Sequence, residues 1–253
     1  MQIVELLYPA FLLVILLVFI HALFGLEIIK RGVIFTDLAI GQISAIGMAI
    51  SIGFLDGEYQ TLLTLFFALL GAMLITYATQ RVEYKEAFIG MLYAFGASTI
   101  MILLANSPQG AELFQKLSAT DILFASMDQV YQSALLYAVI AIVMVWFYPR
   151  TKGLLRELTF FASLAIVVTS SVQSAGVLVV FVLLVAPAFI ALSQKRFNPL
   201  YLAWSFGVVL SIVSLFISYY FDLPTGYTII FVLSLVVMVS VLFAGKRLTP
   251  RVR

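Results

Sequence analysis

The sequence predicts an all-α fold, a polytopic transmembrane helical bundle with about nine hydrophobic segments. Three observations predict it. Of the 253 residues, 64% are hydrophobic and only 10% are charged, whereas a soluble domain carries about 25% charged residues. Apolar runs recur at about the 20-residue length that crosses a bilayer. The charges lie almost entirely between those runs. A soluble chain this apolar would not stay in solution, so soluble classes are excluded. No linker suggests a second unit, and residues 1–253 read as a single transmembrane domain.

Spans are expected near residues 7–28, 33–54, 60–79, 87–106, 130–148, 159–173, 177–194, 202–221 and 226–244. The first has no basic leading region and no small-residue cleavage site. It also outruns the apolar core of a signal peptide, so it is expected to be a retained span. The second follows Lys30 and Arg31 and holds Asp37. The fourth opens at Glu86, where an acid complements the helix dipole. Its Gly90, Gly96, Ala97 and Ser98 permit close helix contact. Thr159–Ser193 would reach roughly 50 Å as one helix, too long for one crossing. The polar patch TSSVQSAG, with Gln173 and Gly176, is the natural break. It makes 159–194 a short helical hairpin. Pro187 sits inside the second leg and is expected to kink it or free a carbonyl. DLPTG, Asp222–Gly226, is a turn joining the last two spans.

Thirteen of the 14 basic residues fall in loops on one side, and Lys116 alone falls on the other. The positive-inside rule makes the rich side cytoplasmic, with the N-terminus outside and the C-terminus cytoplasmic. The outer loops carry Glu5, Asp56, Glu58, Glu112, Asp121, Asp128 and Asp222, a bias that would raise the local cation concentration.

The polar residues inside the spans are few. Ionisable groups there are costly and mark functional sites by default. Asp37 lies one to two turns in from Lys30 and Arg31. At 100° per residue it shares a stripe with Gly41, Ser44 and Met48. Such a stripe suits a bundle interior or a water-filled path. The alternative is a carboxylate that caps a helix or pairs with Arg31. Gln42 points about 140° away from Asp37 on a regular helix. Glu27 stands at i,i+3 and i,i+4 from Lys30 and Arg31, the spacing of a salt bridge. His21 is the only histidine and reads either as a packing residue or as a ligand. His21, Asp37 and Glu27 could meet across neighbouring helices. Carboxylates with one imidazole suit a hard or borderline divalent ion. The chain has no cysteine, which excludes thiolate sites. It also lacks a G-x-x-x-x-G-K-[ST] phosphate loop and the H-E-x-x-H and nucleophile-elbow motifs. It has no means of hydrolysing ATP, and an ATP-driven function would need another subunit.

The segments KRGVIFTDLAIGQISAIG, EAFIGMLY…NSPQGAELFQKL…DILF, VVTSSVQSAGVLVVFVLLVAPAFIA and DLPTG occur in this order along nearly the whole chain. Together they resemble the ABC-3 family, the membrane permease subunits of bacterial ABC importers for zinc, manganese or iron. The resemblance implies a homodimer in the bacterial plasma membrane, driven by two ABC-type ATPase subunits and fed by an extracytoplasmic metal-binding protein. It implies no permanently bound cofactor. The divalent metal ion is cargo, and ATP acts only through the partner subunit. Nucleic acid is not among the expected partners. Asp37 and His21 are the candidate metal ligands, with Glu27, Gln42 and Ser44 as further path residues.

Two departures from the family pattern stand out. Zinc- and manganese-type members resemble Asp-x-x-x-His in the second span. Here Asp37 matches the Asp, but Gly41 stands at the His position. Gln42 is similar to the DLALAQ form of a divergent subgroup. That subgroup carries a His where this chain has Glu27, and another matching His21. The second departure is the segment before the hairpin, where members have a longer coupling helix for the ATPase. Here only LLREL remains, and Leu154, Leu155, Arg156 and Glu157 are the candidate coupling residues. The competing readings are a stand-alone ion-coupled secondary transporter or channel for cations, and a non-transporting membrane scaffold.

Overall fold

The computed structural model describes residues 2–105, 122–194 and 197–244. The described residues form helices and connecting turns, with no strand among them. The long helices are α1 (Gln2–Arg31), α2 (Thr36–Phe54), α3 (Gln60–Arg81), α4 (Lys85–Leu104), α5 (Met127–Ile142), α6 (Gly153–Ala175), α7 (Val177–Ser193), α8 (Pro199–Phe221) and α9 (Thr225–Ala244). Eight spans are long and apolar enough to cross a membrane. The shorter α7 is the ninth apolar segment. The NSPQGAELFQKL segment, Lys116, Lys195, Arg196 and the basic residues after Ala244 lie outside the described residues.

Helix α2 is the centre of the bundle. Helices α3, α4, α6 and α7 all pack on it, while α1 packs on α7 and α8, and α9 on α8 and α7. Every residue of α2 from Thr36 to Gly47 is buried. The outer helices show their large apolar side chains instead, as α4 does with Met91, Phe95 and Ile102, and α5 with Tyr131, Leu135 and Ile142. The inward faces of α4 and α5 stay largely aliphatic, with Ile89, Leu92 and Ile100 on α4 and Val130 and Ile140 on α5, while that of α3 is mostly small or hydroxylic. Helix α3 buries Thr64, Ala68, Gly71, Ala72 and Thr76. In lipid, packing rather than water exclusion drives association, so small residues mark the interfaces. The closest approach on α2 is at Gly47, where an added Cβ would lie 2.5 Å from the Leu63 carbonyl oxygen of α3.

The hairpin differs from the expectation. Its first leg, α6, starts at Gly153 and has 23 residues, not the short segment beginning at 159. LLREL is its opening turn and a half, not a separate coupling helix. The joint is Gly176 alone, with φ at +86°, a conformation that a Cβ disfavours. The legs then part: α6 packs mainly on α3 and α2, and α7 on α1, α8 and α9. Helix α7 continues through Pro187, whose ring packs against Gly207 of α8. Before α6, α5 widens into a π-turn over Val143–Phe147 and tightens over Tyr148–Arg150. Its start carries a capping box: the Ser126 hydroxyl accepts from the Gln129 N–H, and Gln129 Oε1 accepts from the Ser126 N–H.

Candidate functional site

The position of Asp37 follows from a tight reversal. Helix α1 ends at Gly32 with φ at +65°. The Val33 N–H donates to Ile28 O and the Gly32 N–H to Ile29 O, the paired bonds of a Schellman stop. Thr36 then opens α2, its N–H and hydroxyl both donating to Val33 O. Asp37 therefore sits in the first turn of α2, not deep in a span, and still is only 1% exposed. A carboxylate gains from the helix dipole there. Neither of its oxygens has a hydrogen-bond partner, which is rare for a buried polar group and calls for a cause. Arg31 is not its partner: that guanidinium is engaged elsewhere.

The stripe above Asp37 faces α6 and α7. At Gly41 a Cβ would meet Val177 Cγ1 at 3.3 Å and Val172 Cγ2 at 3.6 Å. Valines therefore fill the space beside the position where the family pattern has histidine. Ser44 donates to Thr64 O at 3.3 Å and stands 3.3 Å from the Thr169 hydroxyl. Gln42, on the other side of α2, is buried as well, its Cβ fitted into the gap left by Gly96 of α4. Its Oε1 has no partner.

His21 is fully buried in α1, and its Nδ1 donates to Leu17 O at 2.7 Å. Its Nε2 has no partner. Val18 and Gly25, one turn to either side, pack on α8 and α7. His21, Asp37 and Glu27 do not gather into one ligand set. Among the described residues no group of three or more His, Asp or Glu side chains could hold a metal ion.

Glu27 instead belongs to a cluster around Arg31. Arg31 Nε donates to Glu27 Oε1 at 3.2 Å, and Nη1 to Glu157 Oε2 at 2.7 Å. Its Nη2 donates to the Tyr148 hydroxyl, which in turn donates to Glu27 at 3.0 Å. The guanidinium lies 4.2 Å from the Phe160 ring centroid, a cation–π contact. The expected i,i+4 pair is therefore present, inside a network that ties the end of α1 to the end of the α5 segment and the start of α6. Of the candidate coupling residues, Leu154, Leu155 and Arg156 are exposed, while Glu157 turns inward to Arg31. The cluster borders a cavity of about 720 Å³ whose wall includes Lys85, Arg156 and Gln80. Gln173 is exposed near the Gly176 joint, and Gly176 and Pro187 are buried.

Sequence reading gave Glu86 only the role of opening α4. Besides opening α4, its Oε1 accepts the Phe35 N–H at 3.0 Å, and its Oε2 is buried without a partner. It missed Tyr148. No local pattern betrays either contact, because the partners come from other helices.

Fold and site together define a class: a multi-pass helical membrane protein with an unpaired carboxylate in its central helix. The comparisons go further. Residues 151–244 match the model of the ABC 3 transport family, and the ABC-3 resemblance read from the sequence is borne out. The "Manganese transport system membrane protein MntC" of Listeria innocua is 26% identical over 244 residues, covering 87% of each chain. A "Probable iron transport system membrane protein" of Haemophilus influenzae is 27% identical over 200 residues, covering 72% of this chain and 71% of its own. PsaBC from Streptococcus pneumoniae, solved in complex with Fab, superposes with a TM-score of 0.76 at 21% identity, over 96% of this chain and 93% of that one.

Proposed function

We propose that this chain is the membrane-spanning permease subunit of an ATP-driven importer for divalent metal ions, working as a dimer in the bacterial plasma membrane with its N-terminus outside and its C-terminus in the cytoplasm. The relatives' names favour manganese or iron. The observation that carries the reading is Asp37, a buried carboxylate with both oxygens unpartnered in the first turn of the central helix. An ionised carboxylate there is costly unless a cation meets it. Passing occupancy by a divalent ion supplies that charge, and loose coordination lets the ion leave again. Tight selection then falls to an extracytoplasmic binding protein.

The Arg31 cluster supports coupling to a separate ATPase. Leu154, Leu155 and Arg156 present an exposed edge at the start of α6, and the next residue, Glu157, is bonded to Arg31. A push on that edge reaches α1 and α5 through one guanidinium. ATP binding would then shift a two-state bundle between openings.

The test is gentle extraction of the tagged chain from its native membrane, followed by mass spectrometry of what accompanies it. An ABC-type ATPase should be recovered in stoichiometric amount. Recovery of the chain alone, where a control ABC complex stays intact, would overturn the reading in favour of a transporter that works by itself. Transport by the isolated chain in liposomes under a pH gradient would say the same.

A further inference from the structure

We infer that the cavity of about 720 Å³ beside the Arg31 cluster seats the phosphate headgroup of an anionic phospholipid, with Lys85 and Arg156 as its cations. Neither Asp37 nor the cargo enters into this site.

The charges of the cavity wall do not cancel. Five charged side chains line it: Glu27, Arg31, Lys85, Arg156 and Glu157. Arg31 holds both acids, Glu27 through Nε and Glu157 through Nη1. Lys85 and Arg156 are left with no acidic partner among the described residues. Both are exposed. Arg156 rests over the Tyr148 ring, 4.8 Å from its centroid, a contact that orients a guanidinium without neutralising it. Gln80, exposed on the same wall, adds an amide donor. Two cations and an amide around one space suit an anion with several acceptor oxygens, as phosphate is.

The cavity also lies where lipid phosphates lie. The apolar spans that border it end or begin at Arg31, Arg81, Lys85 and Gly153, so it sits at one face of the bilayer, between hydrocarbon and water. Part of its wall is apolar, with Val33, Phe161 and the exposed Leu154. Those side chains suit a glycerol backbone and the start of an acyl chain, whereas a soluble anion gains nothing from them. Basic pockets between membrane helices are a recurrent seat for anionic headgroups. Helix α4 packs chiefly on α2, and α6 chiefly on α3. A headgroup held by Lys85 and Arg156 therefore ties together two helices that share little contact of their own.

The bland role of these cations is to lie on the side of the membrane that collects Lys and Arg, where any basic residue draws anionic lipid weakly. Substitution separates a site from a surface. The purified chain in uncharged detergent is titrated with phosphatidylglycerol, with phosphatidylcholine and with inorganic phosphate, and its melting temperature is followed. Lys85→Gln with Arg156→Gln removes the cavity pair. Lys30→Gln with Arg150→Gln removes equal charge from exposed residues outside the cavity wall. Lys85→Gln alone alters an exposed side chain with no hydrogen bond or ion pair to lose among the described residues, so its folding is safe. Wild type should be stabilised saturably by phosphatidylglycerol and by neither other probe at the same concentration. The cavity pair should need at least about tenfold more phosphatidylglycerol for half the effect, and Lys85→Gln alone about threefold more. The Lys30 and Arg150 variant should titrate as wild type does. No stabilisation of wild type by phosphatidylglycerol would overturn the inference. So would an equal response to phosphatidylcholine or to inorganic phosphate, or a response that falls as far in the Lys30 and Arg150 variant as in the cavity pair. A lipid response unchanged in the cavity variants, with recovery of the ATPase lost instead, would overturn it too and give the cavity to the partner subunit.

Discussion

Arg31 Nη1 lies 2.7 Å from Glu157 Oε2, joining the last residue of α1 to the first turn and a half of α6. The two residues stand 126 positions apart. The bond draws a residue of the expected ATPase-coupling segment inward and makes it a link between helices.

Removing that link should loosen this end of the bundle. Arg31→Ala leaves Glu27 and Glu157 partly buried and facing one another without their cation. Both acids keep some solvent, at 30% and 26% side-chain exposure, so the loss should be moderate, about 2 kcal/mol. Thermal unfolding of the purified chain checks it. Tyr148→Phe, which loses one hydroxyl, should cost about 1 kcal/mol.

The exposed edge can be altered without touching the network. Leu154→Ser with Leu155→Ser should leave the melting temperature of the chain nearly unchanged and weaken its association with the ATPase. Stimulation of ATP hydrolysis by the reconstituted permease is the readout. Unchanged stimulation would move the contact elsewhere.

Gly47 should be intolerant of even one carbon. Its Cβ would lie 2.5 Å from the Leu63 carbonyl oxygen and 2.6 Å from the Leu63 carbonyl carbon. Backbone cannot step aside as a side chain can, so Gly47→Ala should cost about 1–3 kcal/mol. Gly53→Ala, at a site with nothing within 4 Å, is the matched control and should be nearly neutral.

Much of the fold was legible because the bilayer sets a length, and spans appear as apolar runs between charges. That the stretch breaks before Val177 was legible from its length and from the polar patch Thr169–Gly176, but the patch itself is helical as far as Ala175 and Gly176 alone makes the joint. What stayed hidden were the faces. In α5 the buried side carries Val130, Ser133, Tyr137 and Ile140 and the lipid side Tyr131, Leu135 and Ile142, two sides of nearly equal apolarity. Lipid removes the contrast that marks a face in a soluble helix. The start of α6 was hidden for another reason: Lys152 and Arg156 look like loop residues, yet Gly153 lets the helix begin between them. At the site, Asp37 was legible as an ionisable group in an apolar run, and Glu27–Arg31 from their spacing. Glu86 and Tyr148 were not, because their roles depend on helices that meet only in three dimensions. His21 was visible in sequence as the one imidazole, but no rule of spacing could say that it would stand among α7 and α8 apart from Asp37.

The central claim is that a cation passes Asp37. Asp37→Asn preserves size and the helix start and removes only the charge. Uptake of radioactive manganese by cells relying on this chain, at matched membrane abundance of wild type and variant, tests the claim most directly. The account predicts a fall of at least tenfold in Asp37→Asn, about 1.4 kcal/mol or more of lost path stabilisation, with the melting temperature of the chain unchanged or raised, since an unpaired buried charge has been removed. Uptake equal to wild type would contradict the account and leave Asp37 as a helix-end charge with no part in transport.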